Sequence, residues 1–85
     1  MRLSTKGRYG LKAMVDLAIH SQDKQIALRH IAERQDISEH YLEQLIAVLR
    51  KSGLVKSVRG AQGGYSLALP PDEITVGDIL RALEG

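Results

Sequence analysis

From Ser4 or Thr5, either of which can cap a helix, to about His20, apolar residues recur at Leu11, Met14, Val15, Leu17 and Ala18. Spacings of three and four put them on one stripe of a helix. Polar Ser21 to Lys24 interrupts the pattern as a loop, and Gln25 to Ala27 suits a short strand. A second helix is predicted from about Leu28 to Arg34, with Leu28, Ile31 and Ala32 turned inward. A third, capped by Ser38, runs to about Lys51 and buries Tyr41, Leu42, Leu45 and Leu49. Gly53 closes it, because glycine takes the left-handed conformation in which helices commonly end.

Beyond Gly53 the period changes. Leu54 to Val58 and Tyr65 to Leu69 are short apolar-rich runs on either side of Arg59-Gly60-Ala61-Gln62-Gly63-Gly64, and Tyr65, Leu67 and Leu69 alternate with Ser66 and Ala68. Two strands joined by a glycine-rich loop make a hairpin. Pro70-Pro71 breaks the second strand, and Thr75 to Asp78 opens a last helix with a threonine cap and an acid three residues later. Val76, Ile79, Leu80 and Leu83 form its apolar stripe.

Composition limits what this arrangement can be. A chain of 85 residues is one small domain with one modest core. With no Trp and no Phe, Leu, Ile, Val and Ala must fill that core, helped by Tyr9, Tyr41 and Tyr65. There is no room for a deep catalytic cleft beside a separate cofactor domain. The absence of cysteine removes disulfides, thiolate metal ligands and cysteine nucleophiles from these residues, as suits a reducing compartment. The start of the chain lacks the apolar stretch of a leader, and no apolar run approaches a membrane span, so a soluble cytoplasmic protein is expected.

The formal charge is only +2, but its distribution is uneven. Arg2, Lys6, Arg8 and Lys12 precede any acid, and Arg50, Lys51, Lys56 and Arg59 form a second acid-free stretch reaching to Pro71. One such run usually just solvates a surface. Two that fold onto a common face make an electrostatic footprint for a polyanion.

The stretch LRHIAERQDISEHYLEQL, residues 28 to 45, fits a helix-turn-helix. Ala32 is the small residue at the helix crossing, Ile31 and Ile37 flank the turn, and Leu42 and Leu45 seal the second helix. Asp36 stands where many such turns use glycine, and Gln35 holds a usually apolar place. A plain helical hairpin in a bundle is the alternative. On the third helix Glu39, His40, Glu43, Gln44, Ala47, Arg50 and Lys51 are left for solvent, a polar start and a basic end of the kind a recognition helix offers to a major groove. Gln44 can pair with adenine, and His40 can donate to guanine or to a phosphate. Glu43 is repelled by phosphates and accepted chiefly opposite a cytosine amino group, so it rejects more sequences than it attracts. Equally, Glu43 can serve as an intrahelical partner of Arg50, and His40 can simply be solvated.

The glycines at residues 60, 63 and 64 raise the question of a nucleotide site. Such a loop needs its glycines between a strand and a helix N-terminus, and here strands flank both sides with neither the GxGxxG spacing nor a following GK[ST]. A hairpin directly after a recognition helix is instead a wing whose glycines let backbone approach a duplex. That places Arg59 to enter a minor groove, unless it pairs with a local carboxylate. Tyr65 reads as a core residue with its hydroxyl at the rim. His20, His30 and His40 lack metal-ligand spacing, no Ser, His and Asp set converges, and Asp16 and Glu33 read as solvated helix acids. No enzymatic activity is expected.

RLSTKGRYGLKAM (residues 2 to 14), SEHYLEQL (38 to 45), GLVKSVRGAQGGYSL (53 to 67) and ITVGDILRALEG (74 to 85) resemble the Rrf-two family of bacterial winged-helix transcriptional regulators, the IscR- and CymR-like proteins. Four matching blocks in order cover nearly the whole chain. The resemblance implies a mainly α fold with a small β-hairpin, a winged helix-turn-helix over residues 1–85 that binds double-stranded DNA and acts as a homodimer on palindromic promoter sites. It puts Ser38, His40, Glu43 and Gln44 in the major groove. It puts Arg59, Gly60 and the glycines that follow on the wing; beside it, the reading of the residues themselves expects Arg59, Gly60, Gln62 and Gly63 at the minor groove and Lys6, Arg8, Tyr41, Arg50, Lys51 and Lys56 at phosphates. Family members continue through a sensor loop, which in some carries three cysteines for an iron-sulfur cluster, and a long dimerisation helix. These 85 residues therefore correspond to the DNA-binding half, with no cofactor of their own, and the full-length protein is expected to sense an iron-sulfur, redox or cysteine-metabolism signal, in some members through a regulatory protein partner. The rival class is a winged helix that docks a partner protein with a silent recognition helix; it would expose an apolar patch on the face where DNA binding requires cations.

Overall fold

The computed structural model describes residues 3–85. Arg2, counted above among the early cations, lies outside the described residues. The order is α1 (Thr5–His20), α2 (Leu28–Gln35), α3 (Glu39–Lys51), β1 (Val55–Val58), β2 (Gly64–Leu67), one 3-10 turn (Pro71–Glu73) and α4 (Val76–Glu84). The expected mainly α fold with a small hairpin is what the chain adopts.

Local chemistry sets the boundaries. Ser4 caps α1, its hydroxyl accepting from the Gly7 amide at 3.0 Å, and Ser38 caps α3 by accepting from Tyr41 at 3.0 Å. Thr75 and Asp78 form a complete capping box at the start of α4. Between α2 and α3, Asp36 adopts the left-handed conformation (φ 53°), the role glycine plays in related turns. Its amide donates back to α2, and Ile37 donates to Ala32 at 3.1 Å, closing the turn in two residues.

The core joins all four helices to the hairpin: Ala13, Met14 and Leu17 from α1, Ile31 and Ala32 from α2, Leu42, Leu45, Ile46 and Leu49 from α3, Ile79 and Leu83 from α4, with Leu54 and Val55. Tyr9, Tyr41 and Tyr65 pack at its edge, half-buried.

Several expectations need correction. Val15 and Val76 were assigned to buried stripes, yet they are 56% and 58% exposed, because α1 turns Ala13 and Asp16 inward instead and α4 packs through Ile79 and Leu83. Asp16, read as a solvated acid, is buried and ion-paired to Arg34. The strands are shorter than their apolar runs. In β2 the buried residue is Ser66, not its neighbours, while Leu69 has left the sheet and is exposed. Gln25 to Ala27 forms a single bridge, Ile26 opposite Tyr65, in place of a strand.

The hairpin pairs Val55 with Leu67 through Val58 with Gly64. Gly60 and Gly64 are both required by geometry. Gly60 has φ 117°, which side-chain-bearing residues rarely adopt, and a Cβ on Gly64 would lie 2.3 Å from the Ile26 carbonyl oxygen. The second glycine lets the Ile26 segment lie against β2, held by reciprocal Ile26 and Tyr65 amide-to-carbonyl bonds of 2.8 Å each.

Candidate nucleic-acid interface

The outer face of α3 carries the residues expected to read bases. Buried Leu42, Leu45, Ile46 and Leu49 fix the inner face, so Glu39, His40, Glu43, Gln44, Ala47, Arg50 and Lys51 all stand in solvent. Gln44 Nε2 lies 3.3 Å from His40 Nε2, one turn apart, so the two side chains form a joined polar unit at the helix start. Glu43 has no ion-pair partner among the described residues, so the anticipated alternative of pairing with Arg50 is not realised. Arg50 and Lys51 sit in the last turn, where positive charge also complements the helix dipole.

Beside the first turn of α3 lie the cations of α1. The Tyr9 ring meets Tyr41 edge-on, with centres 6.1 Å apart at 88°. Arg8 lies 5.6 Å and Lys12 5.3 Å from the centre of that same ring. Tyr41 thus has its ring in the α1–α3 seam, while Lys6 and Arg8 are exposed.

The wing follows directly. Lys56 is exposed on β1, and Arg59, Gly60 and Gln62 are exposed at the tip, with Gly63 half-buried. Gly63 donates to the Gly60 carbonyl at 2.9 Å, and a Cβ at Gly63 would stand 2.4 Å from the Val58 carbonyl oxygen, so the tip is a tight backbone turn. Arg59 makes neither an ion pair nor a hydrogen bond among the described residues, leaving its guanidinium free. The structure thus links the α1 cations to the start of α3 through Tyr9. Among the described residues Arg59 makes no hydrogen bond or ion pair with an α3 side chain.

Sequence reading missed the group that orients the helix-turn-helix. Arg34 Nε and Nη2 donate to the two Asp16 carboxylate oxygens at 2.9 and 2.7 Å, and Gln35 Nε2 donates to Oδ2 at 3.1 Å. Burial pushes the Asp16 carboxyl up, but the hydrogen bonds from Arg34 and Gln35 and the Arg34 charge outweigh it, leaving its pKa below the ordinary value. Gln35 occupies its usually apolar place because it completes this carboxylate. The available signal was position: Asp16 lies among Ala13, Met14 and Leu17 on the inward side of α1.

The model of a known domain family, Rrf2, described as an iron-dependent transcriptional regulator, matches residues 3–85. The chain belongs to the Rrf2 family. It is 56% identical to the HTH-type transcriptional regulator CymR of Bacillus subtilis (strain 168), over 100% of this chain and 62% of that protein. It is 55% identical to IscR of Aliivibrio salmonicida, over 99% of this chain and 50% of that protein. Among solved structures of Rrf2 relatives, T. potens IscR superposes with a TM-score of 0.94 at 66% identity, over 100% of this chain and 62% of that one. The global cysteine regulator CymR of B. subtilis superposes with a TM-score of 0.95 at 55% identity, over 100% of this chain and 66% of that one. The chain thus spans about half to two thirds of the relatives it matches.

Proposed function

We propose that this winged helix-turn-helix is the sequence-specific DNA-binding domain of a transcriptional regulator. The observation that carries it is the outer face of α3: its first two turns present only polar side chains to solvent, beside the Tyr9-linked cations of α1 and ahead of a glycine-bent hairpin with a free arginine. In this reading Ser38, His40, Glu43 and Gln44 face base edges. Lys6, Arg8, Tyr41, Arg50, Lys51 and Lys56 contact phosphates and set register, and Arg59, backed by Gly60, Gln62 and Gly63, reads the minor groove. The most exposed large apolar side chains, Val15, Ile19 and Val76, lie on α1 and α4, while Val48 of α3 and Val58 of β1 are each 39% exposed beside the polar and basic residues of this set; two isolated valines do not make the apolar patch that a protein ligand at α3 would need.

The full-length regulator acts as a homodimer on a palindromic site, where joining two half-sites supplies affinity that one domain lacks. Its signal is one of iron-sulfur, redox or cysteine-metabolism status, with a regulatory protein as an alternative carrier. An iron-sulfur cluster needs thiolate ligands, and these residues contain no cysteine, so they do not fit one.

Duplexes selected from a random pool, measured by fluorescence anisotropy over a salt series, test the reading. Contact with about four to six phosphates per domain gives a log-log salt slope near −4 to −5. Arg59→Ala should cost about 1 to 3 kcal/mol, confined to A/T positions flanking the core site. Selection that yields no consensus sequence would refute specific recognition.

A further inference from the structure

Resting on the DNA-binding reading, we infer that the groove between the wing tip and the start of α2 is a seat for a DNA backbone phosphate, formed by Lys24, Arg29 and His30. The groove has a volume of about 190 Å³, and its walls are the Lys24–Ala27 segment with Arg29 and His30 on one side and Ala61 to Gly63 of the wing on the other. None of the residues lining it is acidic. Residues 24 to 32 carry no carboxylate, and the flanking acids, Asp23 before Lys24 and Glu33 one turn beyond Arg29, make no ion pair with these cations among the described residues and do not line the groove. Cations gathered without a counter-charge repel one another, so an anion entering the groove relieves that repulsion as well as filling it.

The two walls are held at a fixed separation. Gln25 Nε2 donates to the Gln62 carbonyl oxygen at 2.6 Å, which fastens the wing tip to the loop that bears Lys24. The paired Ile26 and Tyr65 amides brace the same junction from below. A groove whose walls are tied in the free protein has little order left to lose on binding.

Geometry also gives the source of the phosphate. A minor groove is about 6 Å wide, so an arginine entering it has a phosphate backbone on either side. Lys56 lies on the strand side of Arg59. The groove is lined by Lys24, Arg29 and His30 as well as by Ala61 to Gly63 of the tip, so its cations adjoin the tip from the α2 segment, and with Arg59 in a minor groove they would meet a flanking backbone. This seat adds affinity independent of sequence, because phosphates carry no base identity.

The test uses Lys24→Gln, Arg29→Gln and their combination in the full chain, with a mixed-sequence duplex across a salt series and phosphate-ethylation interference on a selected site. Each single substitution should lower the magnitude of the salt slope, the double variant by about one in total as expected for one phosphate, and each should weaken binding to all duplexes alike. The double variant should also become indifferent to ethylation of one phosphate beside the wing that blocks the parent. Melting temperatures equal to the parent exclude misfolding, and the single variants serve where the double is destabilised. An unchanged slope and interference pattern in variants of a DNA-binding parent would overturn this seat alone. A parent that binds no duplex would overturn it together with the function proposed above.

Discussion

Asp16 of α1 and Arg34 of α2 meet through two parallel hydrogen bonds of 2.9 and 2.7 Å, and the carboxylate is almost wholly withdrawn from water. This contact, with Gln35 as third donor, ties the helix-turn-helix to α1 one residue before its left-handed turn. Asp16→Asn should lower stability by about 1.5 to 3 kcal/mol, and not the larger figure for a fully enclosed pair, because the Arg34 side chain is 37% exposed and can turn to water. The pH dependence has a definite sign. The folded carboxyl has a pKa below its ordinary value of 3.8, so the unfolded chain binds more protons as acid is added. The stabilisation is complete above that ordinary value and is lost as pH falls through the folded one. Chemical denaturation from pH 7 down to about 2 should show the parent losing stability over that range more steeply than Asp16→Asn.

Most of the fold was legible because periodicity and caps agree here: Ser4, Ser38 and Thr75 each cap the helix they announce. The misses share one cause. Val15, Val76 and Leu69 are apolar and stand in the right local pattern, but no second element covers them among the described residues, and pattern alone cannot report which neighbour arrives. Asp16 is the converse, a charge made inward by a partner 18 residues away that only the tertiary fold reveals. Within the candidate site, exposure on α3 followed from its helical stripe. The Tyr9 cluster and the Gln25–Gln62 tie did not, since both join distant segments.

The Asp36 turn supplies a second test. A non-glycine residue at φ 53° carries a modest strain that aspartate bears better than most. Asp36→Gly should therefore be neutral or stabilising by up to about 1 kcal/mol, while Asp36→Val, branched at Cβ, should cost more than about 1 kcal/mol. Thermal melts of the two variants separate strain from any hydrogen-bonding role of the carboxylate.

The seam between α1 and α4 is tight at one point. A Cβ on Gly10 would lie 2.1 Å from Leu83 Cδ1, and Leu83 is itself buried in the core. Gly10→Ala gains about 1 kcal/mol in helix propensity but forces α4 or the Leu83 rotamer to move, at about 1 to 3 kcal/mol. The net change should be destabilising. Gly10→Ala combined with Leu83→Ala should be less destabilised than the sum of the two single changes, as a double-mutant cycle would measure.

Tyr9 separates aromatic from polar contributions. Its ring meets Tyr41, Arg8 and Lys12, while nothing among the described hydrogen bonds uses its hydroxyl. Tyr9→Phe should preserve duplex affinity. Tyr9→Leu should weaken it through the loss of one or two cation–π contacts, each about 0.5 to 1 kcal/mol at an exposed site, which releases Arg8 and Lys12 to other rotamers. Equal affinities for the two variants would show that the ring does not position these cations.

Glu43 is the one exposed carboxylate in the middle of the outer face of α3, and no cation among the described residues neutralises it. Facing a duplex, it repels phosphate and leaves any base without an exposed amino group unsatisfied, so its contribution is mostly the refusal of wrong sequences. Glu43→Ala should therefore raise affinity for random duplex and broaden the set of sequences selected from a pool, while the salt slope stays within about one unit of the parent. Arg59→Ala should do the opposite, weakening binding and relaxing preference only at flanking positions. Substitutions of opposite sign on affinity, each relaxing specificity at a different part of the site, distinguish a reading surface from a merely basic one; if both variants lose affinity for every sequence equally, α3 does not discriminate bases through Glu43.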